Sequence, residues 1–131
     1  MPYTTELTED YMGIVHTATG VVRGEDLIEA CKGTTALKQN TENFHYEFID
    51  FTDATELRVT AEEFEAIIAL DRFTALFRPD AVVVIVAPDD DIFQTSQEWD
   101  GRAAHIDWTT TLSRSRPPAR ARLRGDVRPP R

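Results

Sequence analysis

Residues 60–87 read TAEEFEAIIALDRFTALFRPDAVVVIVA, a helix followed by a buried strand. Thr60 with Glu63 three residues later forms a capping box, in which the Thr60 hydroxyl accepts the Glu63 amide and the Glu63 carboxylate reaches back to the Thr60 amide. The spacing predicts a helix from there to Arg78, stopped by Pro79. At about 100° per residue its apolar side chains fall into two arcs, Phe64, Ile67, Ile68 and Ala75 on one and Ala66, Leu70, Phe73 and Phe77 on the other. One arc suffices to cover a sheet. The second requires a neighbouring helix or a second subunit, with Phe73 and Phe77 as the interface residues. Residues 81–87, AVVVIVA, are apolar on both faces and rich in β-branched side chains, the pattern of a central buried strand that Pro88 ends.

Working outward, Tyr3–Leu7 is a short strand, and Met12–Thr19 alternates with period two, His16 sharing a face with Ile14 and Ala18. Glu9-Asp10 between them reads as a hairpin turn, and Val21-Val22 extend the second strand after a bulge at Gly20. Residues 25–37 carry Leu27, Ala30, Cys31 and Thr34 on one helical face, with Glu25 and Asp26 at the positive N-terminal end. Residues 38–44 read as a turn and 45–51 as a strand. Asp89, Asp90 and Asp91 cap a helix over 92–103, and 105–112 alternate again, with Ile106, Trp108, Thr110 and Leu112 on one side. The order β-β-α-β-α-β-α-β predicts an α/β fold: a mixed sheet of about five strands with helices packed on it.

A chain of 131 residues with 41% hydrophobic side chains is one domain able to bury a core without disulfide or metal staples. Its net charge of −9 is uneven. Residues 114–131 hold seven of the fourteen basic residues, one acid and four of the seven prolines, a net of +6, so residues 1–113 carry 7 − 22 = −15. Such a body repels nucleic acid and anionic lipid. The Arg/Pro-rich tail reads as disordered or loosely docked on the acidic body, with a nucleic-acid arm as its sharper alternative. No apolar run approaches the roughly 20 residues of a membrane helix, and MPYTTELTED carries no signal-peptide block. The single cysteine, Cys31, cannot close an internal disulfide. A cytoplasmic protein without membrane contact is expected.

The segments GVVRGEDL (residues 20–27), Ile49-Asp50-Phe51-Thr52-Asp53, Thr60-Ala61-Glu62-Glu63 and VVVIVAP with its acid-capped helix resemble the STAS, anti-sigma-factor-antagonist-like (SpoIIAA-like) family of small bacterial proteins, which is related in fold to CRAL-TRIO domains. The resemblance covers residues 3–112. It implies a regulatory or protein-interaction domain, acting as a homodimer or with a protein partner, and it places Thr60 near the phosphoacceptor position of the family. The antagonists have an Asp-Ser-Ser-Gly-like turn there, whereas this chain has Arg58-Val59-Thr60-Ala61, and helix capping already accounts for Thr60. Relatives finish with an amphipathic helix where Pro117-Pro118 stand here.

Chemistry-bearing constellations are scarce. His16, His45 and His105 fall in strands without zinc-ligand spacing, and Asp89-Asp90-Asp91 lacks the alternating pattern of a calcium loop, so no metal, cofactor or catalytic residue is expected. Cys31 reads as a small buried hydrophobe. Asp50 and Asp53, at the carboxyl end of a strand, are candidates for a ligand or partner loop, with a turn-forming role as the plainer reading. Two functions follow: a non-enzymatic protein-interaction domain, or a small apolar-ligand or lipid binder of CRAL-TRIO-like kind.

Overall fold

A computed structural model describes residues 2–8, 12–40, 44–104, 106 and 108–115. The expected turn at Glu9-Asp10, the strand start at His105 and residues 116–131 of the tail lie outside them. The elements follow the expected order: β1 Tyr3–Leu7, β2 Gly13–Arg23, α1 Gly24–Asn40, β3 Tyr46–Arg58, α2 Ala61–Ala75, β4 Val82–Val86, α3 Asp90–Arg102 and β5 Thr109–Ser113. They build one five-stranded sheet in the order β1-β2-β3-β4-β5. β1 is antiparallel to β2, because a short hairpin joins them; every later strand is parallel to its predecessor, because a helix carries the chain back each time.

Several bounds differ from the sequence pattern. β3 runs on to Arg58 instead of ending at Phe51, and two register shifts against β2, at Thr17/Thr19 and at Gly20/Val21, account for it. Each bulge absorbs one residue of β3, so the buried Phe51 and Ala54 and the half-buried Leu57 recur every third residue. Period-two alternation therefore vanishes from the sequence while the strand continues. Gly20 sits at the second shift with φ of 64°, a backbone that L side chains rarely adopt. α1 continues to Asn40 through residues expected in a turn. β5 starts only at Thr109, opposite Val82, yet Ile106, Trp108 and Leu112 all join the core as the alternation requires.

The helices share one side of the sheet. Leu27 of α1, Ile68 of α2 and Ile92 of α3 pack in one cluster with Ile14, Ala18, Val83 and Ile85. The opposite face of β3 and β4 presents Phe48, Val82, Val84 and Val86, also buried, with Val15 and Tyr46 beside them. β4 is thus enclosed on both faces, as its unbroken apolar run demands.

Candidate functional site

Thr60 closes the N-terminus of α2. Its hydroxyl accepts the Glu63 amide at 3.2 Å, and its own amide donates to the Glu63 carboxylate at 2.9 Å. Gly24 lies against that carboxylate: a Cβ there would stand 2.3 Å from the Glu63 Cδ. Asp50 is buried within β3, between Thr17 and Val86 in register, and accepts the Thr52 amide at 2.9 Å and the Thr52 hydroxyl. Asp53 is exposed opposite Thr19. Asp50 was expected near the end of this strand and Asp53 just beyond it; both lie inside β3, because β3 is longer than its alternation shows. Phe73 and Phe77 meet edge to face, centroids 5.2 Å apart, at the C-terminal end of α2. With Leu76 they are 46%, 45% and 77% exposed in the order Phe73, Phe77, Leu76.

None of these five residues lines the cavity that opens between the sheet and the helices. Its volume is about 80 Å³. β2 brings His16 to its floor, β3 brings Glu47 and Ile49, α1 brings Cys31, and α2 brings Ile67 and Asp71. His16, Glu47 and Asp71 are only 3%, 7% and 4% exposed. His16 Nε2 lies 2.9 Å from Glu47 Oε2 and Nδ1 lies 2.9 Å from the Thr5 hydroxyl. An ionised carboxylate accepts only, so Nε2–H donates to Glu47, and in the neutral ring Nδ1 accepts from Thr5. The Tyr3 ring stacks on His16, centroids 5.2 Å apart. The Cys31 thiol donates to Asp71 Oδ1 at 3.5 Å, a weak bond that joins α1 to α2 across the cavity. Burial first, then the negative charge of Glu47, holds the Tyr3 hydroxyl well above the usual tyrosine range, so it remains a donor at neutral pH.

Glu47 and Asp71 escaped the sequence reading, though the pattern marks both. Glu47 precedes Ile49 by two residues on the inward face of β3, and Asp71 follows Phe64 and Ile67 at helical spacing on the core arc of α2. A charge at a core position is the signal. Cys31, expected to be a plain hydrophobe, belongs to this polar group. Among the described residues no set of three His, Cys, Asp or Glu side chains is placed to hold a metal ion, and no helix is long and apolar enough to cross a membrane.

The sheet order, the antiparallel first strand and the helices on one face define a STAS-like, SpoIIAA-like fold. The structure of the anti-sigma factor antagonist SpoIIAA in its unphosphorylated form is similar over 94% of this chain and 98% of its own, with a TM-score of 0.57 at 11% sequence identity. An uncharacterised protein of the DUF3478 family from Shewanella loihica PV-4, with a SpoIIAA-like fold, is similar over 92% of this chain and 91% of its own, with a TM-score of 0.56 at 14% identity. No protein-family model and no curated protein sequence matches this chain.

Proposed function

We propose that this chain is a regulatory protein-interaction domain in the cytoplasm, which binds a basic protein partner through the C-terminal end of α2. The observation that carries the reading is the group Phe73, Leu76 and Phe77, large apolar side chains exposed together on one helix end. Exposed apolar groups of this kind mark contact surfaces. Likeness to an anti-sigma factor antagonist over nearly the whole of both chains supports a regulatory role. Charge selects the occupant. Two copies of this chain, each of net −9, repel at long range, whereas a basic partner is drawn in. A single cysteine, Cys31, which cannot close an internal disulfide, fits a reducing compartment. Helix capping accounts for Thr60, and the reading needs no phosphate there.

The test is co-purification with tagged wild-type chain and with Phe73→Asp, followed by titration of the recovered protein in pure form. A basic protein that binds wild type and loses about tenfold or more in affinity for the variant supports the reading. A concentration-dependent homodimer in sedimentation that Phe73→Asp dissociates overturns it in favour of self-association.

A further inference from the structure

We infer that residues 116–131 lie across the helix-free face of the sheet, as an Arg/Pro-rich strap that covers β3 and β4. The observation that carries this is burial. Phe48, Val84 and Val86 point away from the helices and are at most 1% exposed. Among the described residues, the apolar side chains packed with them come from β2, β3 and β4 alone. Side chains on one sheet face stand side by side, roughly perpendicular to it, and do not hide one another's tips from water. A parallel sheet needs a cover on both faces, and here the helices supply one. Outside the described residues, 9–11, 41–43, 105 and 107 are short links joined at both ends, and only 116–131 is long enough to cross the sheet. From β5 to β2 is three strand spacings, roughly 15 Å, and the sixteen residues span up to about 50 Å when extended.

The end of β5 turns the chain onto that face. Ser113 is the register partner of Val86, so its side chain shares the face of Val84 and Val86. The Ser113 hydroxyl donates to the Ser115 carbonyl at 2.9 Å and accepts the Ser115 amide at 3.3 Å. The backbone bends at 114–115, while the Arg114 side chain turns the other way, to Asp90 and the Phe93 ring of α3. Composition fits the place. Residues 116–131 carry six arginines and one aspartate, against a net of −15 over residues 1–113. Arginine stems cover apolar surface while their guanidinium heads reach water, and Leu123 and Val127 add apolar contacts. Pro117, Pro118, Pro129 and Pro130 favour an extended chain and lack the amide hydrogen that an apolar sheet face leaves unsatisfied. Because it is joined to β5, the segment reaches the face as an intramolecular ligand at high effective concentration. The strap is separate from the partner surface at the end of α2, which belongs to the opposite side of the sheet.

The experiment is methyl NMR of the full chain, with a soluble nitroxide as the probe of accessibility. Nuclear Overhauser contacts are expected between the Val84 and Val86 methyls and protons of residues 116–131. Both methyls should be shielded from the nitroxide as well as those of Ile68 are. The paired substitution Leu123→Asp with Val127→Asp should raise their relaxation toward that of the exposed Leu76 methyls, while Ile68 stays shielded. An absence of contacts with residues 116–131, or Val84 and Val86 equally shielded in the folded variant, would overturn the assignment. Contacts seen only between chains, in a mixture of two differently labelled populations, would overturn it in favour of a strap exchanged with a second copy. Should the variant fail to fold, the contacts in the wild-type chain decide.

Discussion

His16 and Glu47 face each other across β2 and β3 at 2.9 Å, with side chains almost wholly shielded from water. Ile14, and not His16, is the register partner of Glu47, so the bond runs diagonally over the sheet and ties two strands that already share a ladder. Thr5 of β1 holds the other ring nitrogen, and one imidazole thereby links three strands.

Removing one partner of that pair takes a buried hydrogen bond from the other. His16→Leu is expected to destabilise the fold by about 3–5 kcal/mol, because the Glu47 carboxylate loses its imidazole without regaining water. The double variant His16→Leu with Glu47→Leu should be more stable than His16→Leu alone. Urea denaturation of the four members of the cycle gives both numbers, and a double variant less stable than the single would show that Glu47 does not depend on His16.

The contrast between what the sequence revealed and what it hid follows from these residues. β4 and α2 were legible because their signals are local: an unbroken apolar run enclosed on both faces, and a cap whose two hydrogen bonds span three residues. The outer half of β3 was hidden because two bulges replace period two by a spacing of three at Phe51, Ala54 and Leu57. The cavity was hidden for a different reason. His16, Glu47 and Asp71 are far apart in sequence, and only the ordering of β2 beside β3 under α2 makes them a group. Each was nonetheless visible singly as a polar residue on a core-facing arc.

The capping box couples two segments of chain. Thr60→Ala removes the acceptor for the Glu63 amide and should cost about 0.5–2 kcal/mol. Gly24→Ala sets a methyl against the Glu63 carboxylate and forces it away from the Thr60 amide. Its cost should shrink in a Glu63→Ala background, where nothing is displaced. Equal costs of Gly24→Ala in both backgrounds, measured by thermal or urea melts, would separate the glycine from the cap.

Ile68 in the middle of α2 and Leu76 at its C-cap should respond differently to truncation. Ile68 is 2% exposed and packs with the main core, so Ile68→Ala is expected to cost about 2–5 kcal/mol. Leu76→Ser removes a side chain that is mostly in water and should change stability by no more than about 0.5 kcal/mol. Phe73→Ser loses its edge-to-face contact with Phe77, worth about 0.5–1.5 kcal/mol. A large loss from Leu76→Ser would mean that this end of α2 is packed in the folded chain and is not a free contact surface.

Tyr3 gives the fold an alkaline limit. Its hydroxyl is held above the ordinary value of 10.0 in the folded chain, chiefly by burial and next by the charge of Glu47. Below that value both folded and unfolded chains keep the proton, and the full stability is present. Above it the unfolded chain releases the proton while the folded chain retains it, so the unfolded state binds fewer protons and unfolding becomes easier as pH rises. Tyr3 alone then contributes a fall of up to about 1.4 kcal/mol per pH unit, which continues until the pH passes its folded-state value. Tyr3→Phe cannot ionise and should lose this component. Other tyrosines and the lysines titrate in the same range, so the quantity to measure is the difference between wild type and Tyr3→Phe in urea denaturation at pH values from about 9 to 11. The variant should lose ground less steeply than wild type across that window. Parallel curves would show that the Tyr3 hydroxyl is hydrated in the folded chain and does not face the buried carboxylates.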